Sequence, residues 1–160
     1  MSYTEADLQR LVDENAIRTL VETFVDACIR ADHETFRSLW TEDGIWQTGA
    51  PFDHRSDGID EIMATLHFLR DERIFFTQLI PTGVITIDGD TAEARWPVRE
   101  VAQGPGEVYY DNLAMYFDSF VRVNGEWKFR RRSYKYMWLN TEKFAGTAYG
   151  DPIDSDIPRS

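Results

Sequence analysis

Val108-Tyr-Tyr-Asp-Asn-Leu-Ala-Met-Tyr-Phe-Asp-Ser-Phe-Val-Arg-Val123 runs through Asn124-Gly125 into Glu126-Trp-Lys-Phe-Arg-Arg-Arg-Ser-Tyr-Lys-Tyr-Met-Trp138. Reading this stretch decides the fold. Asn-Gly between two alternating runs is the strongest short-range hairpin signal. Successive strand side chains point to opposite faces. Tyr110, Asn112, Ala114, Tyr116, Asp118 and Phe120 therefore share one face, and Asp111, Leu113, Met115, Phe117 and Ser119 the other. The first set joins polar tips to aromatic bodies and suits a cavity wall; the second is more apolar and competes as the packed face. Periodicity leaves that choice open. On the following strand the same parity groups Arg130 and Arg132 with Tyr134 and Tyr136, and Arg131 with Phe129.

Upstream, Thr91 to Val101 reads as another strand, closed on its far side by the turn Asp88-Gly89-Asp90. Trp96, Val98 and Glu100 share one of its faces. Glu100 is either a solvated edge carboxylate or a buried group of raised pKa, fit for acid–base work. Ile74 to Ile87 reads as one strand with a bulge or exposed edge at Pro81. Before it the period changes. Leu8, Leu11, Val12, Leu20, Phe24 and Cys28 recur at helical spacing behind a Thr4 cap, which predicts a helix over about 5–30. Asp32 caps a short second helix bearing Phe36, Leu39 and Trp40. Thr41-Glu42-Asp43-Gly44 is a turn, Ile45 to Thr48 a short strand, and 49–57 a loop. Asp57 caps a third helix over about 58–71 with Ile59, Ile62, Met63, Leu66 and Leu69 inside. Helices first and hairpin-linked strands after make the class α+β. One domain over 1–139 and an irregular tail over 140–160, with Phe144 and Tyr149 for grip and a solvated Asp151–Asp156 end, complete the organisation.

The 160 residues carry 17 basic and 28 acidic side chains, a formal charge of −11. Such a field opposes nucleic acid, whose affinity comes largely from phosphate neutralisation. With 42% hydrophobic residues, five Trp, seven Tyr and ten Phe, the chain has material for a core and is not disordered. One cysteine, Cys28, permits no intrachain disulfide. No run of about 18 apolar residues is present, so no membrane span is expected. Met1-Ser2-Tyr3-Thr4-Glu5 lacks a signal-peptide core, so a cytoplasmic location is expected.

No phosphate loop or dinucleotide fingerprint occurs. Cys28 reads as a buried thiol rather than a nucleophile. His33, His54 and His67 share no metal-ligand spacing and read as solvated, with His54 on a loop able to cap a cavity. No metal or cofactor is expected. One inward arginine of the basic cluster would hold an anionic oxygen with a fixed fork of donors.

Five segments carry a resemblance: Ala16-Ile17-Arg18; Phe36-x-x-Leu-Trp-Thr-Glu-Asp-Gly-Ile-Trp46; Gly58-Ile59-Asp60-Glu61-Ile62; Ile85-Thr-Ile-Asp-Gly-Asp-Thr-Ala92; and Tyr116-x-Asp118-x-Phe-Val-Arg-Val-Asn-Gly-Glu-Trp127-Lys-Phe-x-x-Arg132. In this order they resemble the SnoaL-like branch of the nuclear transport factor 2-like superfamily, over about residues 8–136. The resemblance implies a curved antiparallel sheet wrapped by about three N-terminal helices into a cone-shaped apolar pocket. It implies a pocket tryptophan at Trp46, an arginine near the leaving group at Arg132, and a pocket-facing Asn112, Ala114 and Tyr116, which settles the choice of face. Its dehydratase and dehydrochlorinase members use a histidine base paired with an aspartate. Here those positions hold Phe76 or Thr77 and Ile29, and a catalytic tyrosine position holds Phe24.

The expectation is a cofactor-independent lyase or isomerase acting on a small hydrophobic cyclic compound. Tyr116, Arg132, Asn112 and Glu100 form the catalytic set, with Tyr110 a second candidate donor and Asp118 a second candidate base. Phe24, Cys28, Trp46, Thr77, Trp96, Tyr110 and Ala114 form the binding set. The alternatives are a non-catalytic binding protein for an apolar small molecule and a structural subunit of the same fold. A homo-oligomer, dimer or trimer, is expected.

Overall fold

A long helix is fixed at its start by a reciprocal cap. Asp7 N donates to Thr4 Oγ1 at 3.1 Å, and Thr4 N donates to Asp7 Oδ2 at 3.0 Å. The helix α1 (Glu5–Arg30) ends where Ala31 takes φ 52°. In this computed structural model residues 3–150 are described. The buried stripe of α1 begins at Asp13 and continues through Ile17, Leu20, Val21, Phe24, Ala27 and Cys28. Leu8, Leu11 and Val12, counted in the apolar stripe from sequence, are exposed. Asp13 holds the helix at that limit, accepting from Arg122 Nη2 at 2.8 Å and Trp127 Nε1 at 3.2 Å.

Asp32 caps α2 (His33–Ser38), accepting from Thr35 N at 3.0 Å. The third helix, α3 (Ile59–Arg70), starts at Gly58, which makes no side-chain cap. Asp57, expected to cap it, pairs instead with Arg55. Gly58 has φ 84°, a left-handed conformation that glycine adopts without steric cost.

The strands are β1 (Trp40–Thr48), β2 (His54–Asp57), β3 (Phe75–Leu79), β4 (Val84–Asp88), β5 (Thr91–Gly104), β6 (Val108–Val123) and β7 (Glu126–Asn140). They form one curved, open seven-stranded sheet in the order β2-β1-β7-β6-β5-β3, with β4 also on β5. The class is α+β, as expected. All pairs are antiparallel except β1 with β7. Three local readings change. The strand expected over 74–87 is two strands, since Pro81 falls in the gap between β3 and β4. The turn at Thr41–Gly44 is an irregularity inside β1, where the register on β7 shifts between Trp40 and Ile45. The loop over 49–57 contains β2.

A fourth change matters most for the site. Phe120 faces Phe129 while Ser119 faces Arg131, so Arg130 is an extra residue in β7. This bulge switches strand parity. Trp127, Phe129, Arg132 and Tyr134 are all buried, and Arg130 and Arg131 are both exposed. Arg130 thus does not share a face with Arg132, nor Arg131 with Phe129. The helices pack on the concave face, and the core centres on Ile17, Phe24, Phe36, Ile62, Leu66, Phe120 and Phe129. On the convex face Phe144 of the tail lies 5.1 Å from Tyr109 and 6.2 Å from Phe75. The acidic end of the tail, Asp151–Asp156, lies outside the described residues. No helix is long and apolar enough to cross a membrane.

Candidate active site

Alternation on β5, β6 and β7 sends Glu100, Tyr110, Tyr116, Tyr134 and Tyr136 toward one concavity. Trp46 enters from β1, Thr65, Phe68 and Leu69 from α3, and Phe52 and His54 from the connection around β2. Together they line a cavity of about 720 Å³. That size suits a small organic molecule, and the mostly apolar wall fits an apolar one. Phe52, half exposed, stacks 5.5 Å from Tyr136 and 6.3 Å from Tyr110 at the mouth.

The polar centre is a relay of three side chains. Gln78 Nε2 donates to Glu100 Oε2 at 2.7 Å and to Tyr116 Oη at 3.0 Å. Asn112 Nδ2 reaches Glu100 Oε1 at 3.5 Å. Burial pushes the Glu100 carboxyl above its usual range, against the downward pull of the Gln78 hydrogen bond and of Arg73. Burial also pushes the Tyr116 hydroxyl well above the ordinary tyrosine value, so it stays protonated. The same cause raises Tyr134 and Tyr136.

Beneath the relay lies Arg132, with no solvent exposure. Its Nε and Nη2 donate to Asp118 at 3.0 and 2.9 Å. Its guanidinium stacks 3.7 Å from the Tyr116 ring, 4.1 Å from Phe24 and 4.6 Å from Phe129. The fork expected to hold a leaving group is occupied by Asp118, and the arginine supports Tyr116 from below.

Four of the residues singled out from sequence line the cavity: Trp46, Glu100, Tyr110 and Tyr116. Asn112 touches Glu100 from the floor. Phe24, Cys28, Trp96 and Ala114 lie in the core under the floor. Burial raises the Cys28 thiol, which makes it a poor nucleophile. Thr77 stands between Phe76 and Gln78, the two buried positions of β3, and so points to the opposite face. Phe76 packs under the Arg70 guanidinium at 5.0 Å, and the Ile29 carbonyl accepts from Arg70 Nη2 at 3.1 Å.

The sequence reading missed Gln78, Tyr134 and Tyr136. Parity along β3, counted from Phe76, would have found Gln78. His54, read as solvated on a loop able to cap a cavity, is exposed and lines the cavity, its Nε2 2.9 Å from Thr65 Oγ1 and 3.2 Å from Ser56 Oγ.

Comparison with known proteins agrees with this architecture. A protein assigned as a scytalone dehydratase from Novosphingobium aromaticivorans is 21% identical, with TM-score 0.76 over 91% of this chain and 95% of that one. Hexachlorocyclohexane dehydrochlorinase LinA-type3 from Novosphingobium barchaimii is 17% identical, with TM-score 0.77 over 91% and 99%. An NTF2-like protein with a cystatin-like fold from Novosphingobium aromaticivorans is 23% identical, with TM-score 0.69 over 82% and 86%. These likenesses establish the fold. No curated protein matches the chain. The SnoaL-like domain model matches residues 9–133, most of the length, and the chain belongs to the SnoaL-like family.

Proposed function

We propose that this protein is a cofactor-independent lyase or isomerase acting on a small hydrophobic cyclic compound in the aromatic cavity. One observation carries the reading: Glu100 and Tyr116 both face the cavity and are held together by the Gln78 amide. A carboxylate of raised pKa is a stronger base than an exposed one. Glu100 takes a proton from a carbon beside a polar oxygen. It returns that proton to another carbon in an isomerisation, or to the departing oxygen in an elimination. The Tyr116 O–H donates to the oxygen on which charge develops. One well-placed donor of this kind is worth roughly 3 kcal/mol of barrier. Asn112 orients Glu100. Arg132 is a positioning residue, holding the Tyr116 ring from beneath.

The chain's place at 1–139 as one catalytic domain, with the tail over 140–160 apart, belongs to the same reading. So do a cytoplasmic location and a homo-oligomer, dimer or trimer. The convex sheet face supports the oligomer, since it exposes Leu113, Phe117, Met137 and Trp138.

The test is turnover of a panel of cyclic alcohols, ketones and epoxides by wild type, Glu100→Gln and Tyr116→Phe. The expected result is loss of about 10²–10⁴-fold with cooperative unfolding retained, the range for removing a general acid–base group. The resemblance sets Phe76 or Thr77 and Ile29 where the histidine and aspartate of the dyad would stand, and their loss favours a second reading as a binding protein for an apolar molecule. Panel members that bind in the cavity and never react would establish that one.

A further inference from the structure

Away from the cavity, three ligand-bearing side chains meet at the junction of α2 and α3. His33 is the first residue of α2, His67 lies in the last turn of α3, and Asp71 is its C-cap. Their nearest ligand atoms lie within 4.8 Å of one another. Asp71 Oδ1 is 3.2 Å from His33 Nε2, and Asp71 Oδ2 is 2.8 Å from His67 Nδ1. The two imidazoles meet edge to face with centroids 4.2 Å apart.

We propose that His33, His67 and Asp71 form a binding site for a late first-row divalent cation such as zinc. The donor set carries the first part of the argument. Two imidazoles and one carboxylate are a common three-ligand set for zinc, leaving a fourth position for water. Tetrahedral zinc with bonds of about 2.0–2.1 Å places ligand atoms roughly 3.3 Å apart. One pair already stands near that spacing, at 3.2 Å, and all three ligand atoms lie within 4.8 Å of one another. His67 and Asp71 are four residues apart at the end of one helix, so both project to the same side. A second observation points the same way. His33 Nε2 is closed off from solvent yet makes no hydrogen bond among the described residues, although Asp71 Oδ1 is near. His33 and His67 come from distant parts of the chain, so no spacing pattern advertises the site.

The consequence is a staple between two helices. The end of α3 also carries Leu69 at the cavity wall, with Arg73 just beyond. A cation held by His33, His67 and Asp71 fixes that end against α2 and makes the cavity rim stiffer.

Isothermal titration of the tag-free full chain with zinc chloride tests the proposal, with a thermal melt in parallel. The expected result is one zinc ion per chain and a raised melting temperature. His33→Ala and His67→Ala should each weaken binding by more than about tenfold, since even indirect disturbance of a ligand costs that much. His54→Ala should bind as wild type does. Asp71→Asn, close to isosteric, serves if an alanine variant unfolds, and should weaken binding by a similar factor. Absence of a zinc isotherm, or affinity unchanged in all three ligand variants, overturns the site.

Discussion

Arg132 and Asp118 face each other as a two-point pair, at 3.0 and 2.9 Å, with neither side chain exposed to solvent. Burial pushes the Asp118 carboxyl up to about 6 against the pull of Arg132. Removing one member leaves the other charged and sealed in, at a cost of about 3–5 kcal/mol. Arg132→Met and Asp118→Leu should each lower the stability read from urea unfolding by that amount. The double variant should cost clearly less than the two together, since apolar replacement of a whole buried pair is often close to neutral. Additive losses would mean that the pair is not coupled.

The bulge at Arg130 makes a sharper contrast. Its side chain is exposed, so Arg130→Ala should change stability by less than about 0.5 kcal/mol. Deleting the residue tests the bulge itself. Without Arg130 the strand alternates regularly, and Phe129 still meets Phe120, Arg131 meets Ser119 and Arg132 meets Asp118 on their present faces. A cooperative unfolding transition retained in circular dichroism is the expected outcome, and its loss would overturn the reading of Arg130 as the extra residue.

Gly83 sits against the face of Trp96. An added Cβ would overlap the indole ring and lie 2.7 Å from the Arg95 carbonyl oxygen. Gly83→Ala should therefore destabilise by about 1–3 kcal/mol, as overpacking does. The Trp96 environment should shift with it, in near-ultraviolet circular dichroism. An unperturbed variant would mean that the approach is not tight.

Glu100 gives a pH test independent of any substrate. Its folded pKa is raised, chiefly by burial. Such a group supports folding fully below its unfolded pKa of about 4.3, and that support is lost as pH rises through the folded value. Gln at this position does not titrate. The melting temperature of Glu100→Gln, relative to wild type, should therefore become more favourable between pH 4 and pH 8. A constant difference across that range would place Glu100 in ordinary solvent.

What could be read beforehand follows physical range. The Thr4 cap, the helical period of α1 from Leu20 to Cys28 and the Asn124-Gly125 turn are local, and each stands in the structure where the sequence puts it. The inward row Asn112, Ala114, Tyr116 was legible because β6 runs without interruption. A bulge has no sequence mark of its own. Lys128 to Arg132 reads equally well in either register, and only pairing with β6 reveals the extra residue. Gln78 was hidden for another reason. The resemblance set the histidine position at Phe76 or Thr77, and Thr77 took the inward place that Gln78 holds. Arg132 was legible as inward but not as occupied, since its partner is Asp118 of another strand. The meeting of His33 with His67 is set by helix packing and leaves no trace in spacing.

The amide of Gln78 has one further consequence. Its nitrogen is committed to Glu100 and Tyr116, while its oxygen has no partner among the described residues. Turning the amide over would set that oxygen against the Glu100 carboxylate, so its orientation is fixed. Tyr116 then has its lone pair engaged and its own hydrogen uncommitted. An incoming guest meets a wall whose polarity is written in advance, hydrogen on one side and lone pair on the other. On the proposed reading, two isomers differing only in where the oxygen sits cannot match that order equally, and the position of the polar group is selected before any bond is broken.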